Sequence, residues 1–159
     1  MKQFKHRLIL ILILSTSLFM YNGCSSEPDV QKLESEIHDL LRVTVEMFNN
    51  KDLDGLVNRF TEDGSLKITD NPVVTGHEAL KENYKNNLHL ENFKIKLDPK
   101  KIDISKTGDM AYVLSDYAVS FDIPVGKFQD EGKSLIVLKR VNDKWKIAAE
   151  NLSSNPPVQ

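Results

Sequence analysis

The stretch "MFNNKDLDGLVNRFTEDGSL", Met47 to Leu66, contains the end of one helix, a short second helix and the start of a strand. Its polar segment "NNKD", residues 49–52, interrupts the helical pattern that precedes it. Asp52 is a typical N-cap, which predicts a second helix running to about Phe60. A brief strand is predicted next, from about Ser65 to Thr69. Two helices followed directly by a strand indicate that helices pack beside a sheet.

The segments on either side of this stretch are also helical. Upstream, apolar residues recur every three or four positions, which predicts an amphipathic helix of about five turns. Downstream, "TGHEAL" predicts a third helix to about Leu88, with Thr75 as N-cap and Glu78 completing a capping box. The upstream apolar positions are Val30, Leu33, Ile37, Leu40, Leu41, Thr44, Val45 and Phe48.

From Asn92 onward the hydrophobic period changes to alternation, which predicts strands. Pro99 interrupts the first of them and indicates a bulge or an edge position. We expect "KTGDM" to be a turn, "PVGKFQDEG" a loop between two hairpin arms, and Asn142 with Asp143 a tight turn. Helices followed by four long antiparallel strands predict an α+β fold, with the N-terminal helices packed on one face of a curved antiparallel β-sheet.

The N-terminus has the build of a secretory signal. Lys2, Lys5 and Arg7 precede an apolar run from Leu8 to Met20, and this run is shorter than the roughly 20 apolar residues of a spanning helix. An uncleaved membrane anchor is the alternative interpretation. We therefore predict a signal peptide at residues 1–23, a tether at 24–28 and a single domain at 29–159.

Cys24 follows Gly23 and precedes a Ser-rich stretch, which resembles the lipobox of bacterial lipoproteins. The resemblance implies that Cys24 carries a lipid, anchoring the chain to a membrane of the bacterial cell envelope and facing outside the cytoplasm. The alternative is ordinary cleavage, which leaves a secreted protein with a free thiol. An exposed unpaired cysteine is a liability in an oxidising compartment, which favours lipidation.

Composition argues against disulfides, metal sites and nucleic-acid binding. Cys24 is the only cysteine, so we expect neither a disulfide framework nor a thiolate metal cluster. Without the three N-terminal cations, 18 Lys and Arg oppose 23 Asp and Glu, a net charge of −5. A mildly acidic chain argues against nucleic-acid binding. The histidines lack metal-ligand spacing, and we expect no metal site and no cofactor.

Three segments together resemble the nuclear transport factor 2-like superfamily, which includes ketosteroid isomerase and the SnoaL-like proteins. They are the opening stretch, "VVTGHEALKENYKNNL", and "VLKRVNDKWKIAAENLSSNPP", the last resembling the closing hairpin of the group called domain of unknown function 4440. The resemblance implies a cone-shaped α+β fold whose long helix and inner sheet face line an open pocket. It also implies homodimerisation through the outer sheet face.

The resemblance does not carry the isomerase chemistry over to this chain. The family's general-base Asp aligns with Ile68, its oxyanion Tyr with Thr44, and its second oxyanion acid with Leu135 or Ile136. Enolisation needs a base and donors for the enolate oxygen, and these side chains supply neither. Whether the chain is an enzyme therefore stays open, with the vacant positions favouring a non-catalytic function.

Two hypotheses follow from the residues and the resemblance. The first is a membrane-tethered, non-catalytic domain that binds a small apolar ligand or a protein partner. The second is a SnoaL-like or dehydratase-like enzyme that moves a proton on a small carbonyl compound, with Asp70, His77 and Tyr84 as catalytic candidates. For Asp70, a local turn in "TDNP" is the competing interpretation. The candidate ligand-binding residues are Thr44, Phe48, Phe60, Ile68, Tyr84 and Tyr117.

Overall fold

The structure, a computed structural model, describes residues 27–155. The predicted signal peptide, Cys24 and most of the tether therefore lie outside the described residues. Three helices, α1 (Val30–Asn49), α2 (Leu53–Asn58) and α3 (His77–Leu88), precede most of the sheet. The strands are β1 (Phe60–Lys67), β2 (Val74–Thr75), β3 (Lys94–Ile104), β4 (Met110–Ile123), β5 (Gly126–Val141) and β6 (Lys144–Ser154).

The strands form one six-stranded sheet in the order β2-β1-β6-β5-β4-β3. Strands β1 and β6 run parallel, and the other neighbours pair antiparallel. The three helices cover one face of this sheet. The predicted α+β class, with helices on a curved sheet, is confirmed.

Helix α1 forms where the apolar spacing places it. The Asp29 side chain caps its first turn by accepting a hydrogen bond from the backbone N–H of Lys32, at 3.1 Å. Asp52 caps α2 in the same way through the N–H of Gly55, at 2.9 Å, as predicted. Both caps satisfy N–H groups that have no partner within the helix.

The predicted capping box at the third helix is wrong. Thr75 pairs with Ser65 in the β1–β2 ladder, and the helix N-cap is Gly76, which makes no side-chain cap hydrogen bond. Gly76 has φ +84°, a left-handed conformation that a residue without Cβ adopts at little cost. The strand pairing of Thr75 therefore takes precedence over its use as a cap.

Two strand boundaries also differ from the prediction. Strand β1 runs from Phe60 to Lys67 instead of from Ser65 to Thr69, because Phe60 already pairs with Ile147 of β6. Strands β4 and β5 extend until only Pro124 and Val125 separate them, so most of the expected "PVGKFQDEG" loop is strand. The bulge and edge position at Pro99 are both confirmed, since β3 is the sheet's last strand and its register shifts after Pro99.

The hydrophobic core lies between the helices and the inner face of the sheet. Side chains that are nearly inaccessible to solvent come from all three helices and from β1, β4, β5 and β6. The segment 27–155 thus contains a complete sheet and its own core, the requirements for a domain that folds independently. Members of the core include Leu33, Ile37, Leu56, Phe60, Leu80, Val113, Leu138 and Ile147.

The outer face of the sheet carries two adjacent exposed leucines. Leu114 and Leu135 pair across β4 and β5 and are 43% and 41% exposed. A homodimer through this face stays a prediction, which sedimentation of the purified domain would test. Within residues 27–155, no helix has the length and apolar character needed to cross a membrane.

Candidate functional site

An open cavity of about 470 Å³ lies between α1, α3 and the inner face of the sheet. Most of its wall is aliphatic or aromatic, and the exposed residues Asp70 and Phe128 lie at its mouth. The polar lining residues are Thr44, Thr69, Asp70, Asn71, Asn83, Tyr84, Asn87, Tyr117, Asp130, Glu150 and Ser154.

Most of the residues that the sequence nominates for ligand binding line this cavity. Thr44, Phe48, Ile68, Tyr84 and Tyr117 all contribute to its wall. Phe60 does not line it and is instead a core residue, 2% exposed, with its ring 6.2 Å from that of Tyr84. Ligand binding by these side chains stays a prediction.

The positions that align with the isomerase catalytic groups hold side chains without the required chemistry. Ile68, Thr44 and Ile136 line the cavity, whereas Leu135 lies on the outer face. The Thr44 hydroxyl already donates to the carbonyl oxygen of Leu40, at 2.7 Å. At these positions the cavity wall therefore offers neither the base nor the oxyanion donors of the isomerase.

The three catalytic candidates from the sequence do not converge. Asp70 is exposed in a turn, with φ +62°, although it borders the cavity mouth. His77 does not line the cavity, and its Nε2 lies 3.2 Å from the backbone oxygen of Phe60. Tyr84 is buried, and burial, followed by the charge of Glu150, raises its pKa well above the usual value. No hydrogen bond joins any two of them in the described part of the chain.

The structure identifies a titratable group that the sequence analysis missed, Glu150. It lies on β6 between Leu66 of β1 and Ile136 of β5, and its side chain lines the cavity. Burial raises the pKa of Glu150 to about 7, because a low-dielectric wall disfavours the charged form. The Glu150 side chain is half-buried. Within residues 27–155 its carboxyl group makes no hydrogen bond and no ion pair.

Glu150 escaped prediction because of a bulge in β6. Leu138 pairs with Ile147 and Val137 with Ala149, so Ala148 is an extra residue in the ladder. Strict alternation from Ile147 would place Glu150 on the outer face, and the extra residue reverses that parity. The only sequence signal is an acid in a strand that follows two small alanines.

A second polar cluster lines the cavity and joins three strands. The Tyr117 hydroxyl donates to Oδ2 of Asp130 at 2.8 Å, and the Ser154 hydroxyl donates to the same oxygen at 2.9 Å. The backbone N–H of Ser154 donates to Oγ1 of Thr69 at 3.0 Å. Burial raises the pKa of Tyr117, which keeps its hydroxyl protonated as a donor. These bonds fix the position of the Asp130 carboxylate.

A row of aromatic rings forms part of the cavity wall. Neighbouring centroids are 5.3 Å apart for Tyr84 and Phe48, 5.9 Å for Phe48 and Phe93, and 6.3 Å for Phe93 and Phe121. The row ends at Phe128, 4.6 Å from Phe121. It therefore runs from the buried Tyr84 to the exposed mouth.

The described residues contain no group of three His, Cys, Asp or Glu arranged to hold a metal ion. The cavity's polar lining residues come from α1, α3, the strands and the segment 69–71, and include Thr44 of α1. The cavity therefore combines a mainly aliphatic and aromatic wall with a few polar side chains, among them the carboxyl group of Glu150.

Comparison with known proteins identifies a family and several structures with a similar fold. The model of the SnoaL-like domain family matches residues 37–159. A ketosteroid isomerase-like protein from Erwinia carotovora atroseptica superposes with a TM-score of 0.67 and 20% identity over 77% of this chain and 96% of that one. A nuclear transport factor 2-like protein with a cystatin-like fold from Novosphingobium aromaticivorans superposes with a TM-score of 0.69 and 13% identity, over 81% of this chain and 86% of that one.

A third similar structure is a protein of unknown function from Mycobacterium tuberculosis, with a TM-score of 0.69 and 24% identity over 86% of this chain and 80% of that one. At these identities the structures show a shared fold alone. No curated protein matches the chain. The family match spans most of the sequence, including all of the sheet and α3. The chain therefore belongs to the SnoaL-like domain family, and it shares its fold with nuclear transport factor 2-like proteins.

Proposed function

We propose that this domain binds a small, largely apolar molecule inside its cone. The observation that supports binding most directly is the open cavity of about 470 Å³ with its mainly aliphatic and aromatic wall. Small-molecule sites typically measure roughly 300 to 1,000 Å³ and combine an apolar lining with a few polar groups. Because Thr44 and Ile68 occupy the isomerase positions, binding without chemistry is the function that these side chains support best.

We further propose that a lipid on Cys24 tethers the domain to the outer side of a membrane. The supporting observations are the cationic start of the chain, the apolar run to Met20 and the Gly23–Cys24 pair. The mass of the membrane-extracted protein tests this proposal. A diacylglyceryl mass that a Cys24→Ala variant lacks would support it, and an unmodified Cys24 would contradict it.

The binding proposal predicts a retained ligand. We expect native mass spectrometry of the purified protein starting at Glu27 to show a bound species that disappears on denaturation. Val119→Trp should remove that species, because Val119 pairs with Ile95 and Asp130 and faces the cavity with them. The added ring would occupy the ligand's space.

Ala118→Trp is the matched control for Val119→Trp. Ala118 pairs with Lys96 and Glu131, both exposed, so its side chain lies on the opposite face. This variant should retain the bound species. Equal loss in both variants, or a wild-type protein without any bound species after expression in its native host, would contradict the proposal.

Proton transfer by Glu150 is the second candidate function. The specific observation in its favour is a lone buried carboxyl group whose pKa of about 7 suits a general base at neutral pH. In ²H₂O, the wild-type protein should then promote deuterium incorporation into the bound molecule. At saturating ligand, Glu150→Gln should slow this exchange by roughly 10²-fold or more, whereas Asp70→Asn should not. Absence of exchange in the wild-type protein would leave binding alone.

A further inference from the structure

Every charged side chain that lines the cavity is acidic. Asp70, Asp130 and Glu150 contribute to its wall, and no lysine, arginine or histidine among residues 27–155 does so. A ligand carboxylate or phosphate would therefore meet three like charges and no cationic partner. A cationic ligand would instead be attracted by these side chains, because acidic groups in a low-dielectric cleft raise the local concentration of positive ligands.

Glu150 is half-buried on the inner face of the sheet. It lies between Leu66 and Ile136, with no hydrogen bond or ion pair in the described part of the chain. A buried carboxylate is costly unless a cation or donors accompany it. Burial also raises its pKa to about 7, so the ionised form is already accessible near neutral pH. A ligand cation beside Glu150 would complete the missing pair.

The aromatic row offers a second feature suited to a cation. Phe48, Phe93, Phe121 and Phe128 line the cavity, with neighbouring centroids 4.6 to 6.3 Å apart. The face of an aromatic ring attracts a cation within about 6 Å of its centroid, and it also packs against apolar groups. Such a wall accepts the apolar part of a ligand and tolerates a positive charge on the ligand's polar end.

We propose that the ligand is a small apolar amine, bound as its ammonium form with the charged nitrogen against Glu150 and the apolar part along the aromatic row. This inference rests on the proposed binding function and specifies the ligand class. A neutral alcohol or phenol could donate one hydrogen bond to Glu150. It would leave the carboxylate charge uncompensated, and so gains less from the same contact.

The proposal has a defined pH dependence. Glu150 faces uncharged side chains of α1 and β1, including Thr44 and Leu66, and the hydroxyl of Tyr84 on α3, whose raised pKa keeps it neutral. Asp130 on β5, held by Tyr117, and Asp70 in its turn are the other acidic groups of the wall. Amine affinity should therefore rise from pH 6 to pH 8 as Glu150 ionises.

Three matched probes test this ligand class, namely 1-naphthylmethylamine, 1-naphthylmethanol and 1-naphthoic acid. All three share the naphthalene ring, the amine and the alcohol also share the methylene, and the polar group is cationic, neutral or anionic. We expect isothermal titration calorimetry at pH 8 to show the amine binding at least about tenfold more tightly than the alcohol, with the acid weakest. Glu150→Gln should lower the amine's affinity by about tenfold and leave the alcohol within about threefold, and Glu150→Asp should restore part of the amine's advantage.

The outcomes separate this inference from the binding function itself. If the alcohol binds as tightly as the amine, or if Glu150→Gln leaves the amine's affinity unchanged, the ligand class is wrong and binding in the cavity stands. If none of the three probes binds and native mass spectrometry shows no retained species, the binding function itself fails. Circular dichroism of each variant, matched to the wild-type spectrum, ensures that a loss of affinity reports on the site.

Discussion

Glu150→Gln is expected to raise the free energy of unfolding more at pH 8 than at pH 4. The difference between its effects at the two pH values should be about 2 to 3 kcal/mol. The physical reason is the position of the Glu150 carboxyl group in an apolar cavity wall, with its pKa raised from 4.5 to about 7. An amide of the same shape carries no charge at either pH and avoids the desolvation of a carboxylate.

The direction follows from the two protonation equilibria. Below about pH 4.5, Glu150 is protonated in both the folded and the unfolded chain, and it contributes no pH dependence. Between pH 4.5 and 7 the unfolded chain loses this proton while the folded chain retains it. Folded-state stability therefore falls as the pH rises through this window and levels off above pH 7. The Glu150→Gln variant does not lose stability through this ionisation.

Urea unfolding of wild type and variant from pH 4 to pH 8 measures the effect. The difference between the two unfolding free energies isolates Glu150, because the other titrating groups are common to both proteins. Glu131→Gln, an exposed position on β5, is the matched control and should stay within about 0.5 kcal/mol of wild type. A constant difference between Glu150→Gln and wild type across this range would show that Glu150 is not buried as the structure has it.

A side chain that lowers stability in this way is a candidate for function. Active and binding sites concentrate groups whose environment disfavours them, and relieving that strain commonly costs activity. The expected gain in stability and the expected loss of amine affinity in Glu150→Gln would therefore have the same cause. Both arise because a buried carboxylate lacks a partner until a cation binds.

Local sequence patterns predicted most of the helices and turns, because their causes are local. The apolar spacing of α1 and the Asp52 cap depend on residues within one or two turns. Asn142 and Asp143, with φ 50° and 60°, are residue types that accept the left-handed backbone of a tight hairpin turn. The Thr75 capping box failed because a distant strand, β1, pairs with that residue. The helix-capping propensity of Thr75 could not reveal that strand pairing competes for this residue.

The cavity was predictable in outline and its carboxyl group was not. The resemblance to the superfamily placed Thr44 and Ile68 where a pocket lies, and both line the cavity. Glu150 depends on the extra residue at Ala148, which exists only because β5 and β6 pair with a shift in register. A single inserted residue exchanges the two faces of a strand. Sequence alternation alone therefore assigns the wrong face to every position after it.

Gly132→Ala is expected to destabilise the protein by about 2 to 4 kcal/mol, near the upper end for overpacking. A Cβ at this position would lie 2.6 Å from Cε1 and 2.7 Å from the hydroxyl oxygen of Tyr117, and closer still to the backbone oxygen of Ser153. Tyr117 pairs with Gly132 across β4 and β5 and is 5% exposed, so its ring has little room to move. The backbone carbonyl has even less freedom.

This substitution tests the structure of the cavity wall as well as the stability of the sheet. The absence of a side chain at Gly132 lets the Tyr117 ring lie across β5 and bring its hydroxyl within 2.8 Å of Asp130. Tyr117→Phe removes the hydroxyl that donates to Asp130 and lies 3.3 Å from Oγ of Ser154, and should cost about 1 kcal/mol. Lys133→Ala, on the exposed face beside Gly132, should change the unfolding free energy by less than about 0.5 kcal/mol. Thermal unfolding of the three variants ranks them, and a Gly132→Ala protein as stable as Lys133→Ala would mean that the Tyr117 ring does not lie over this glycine.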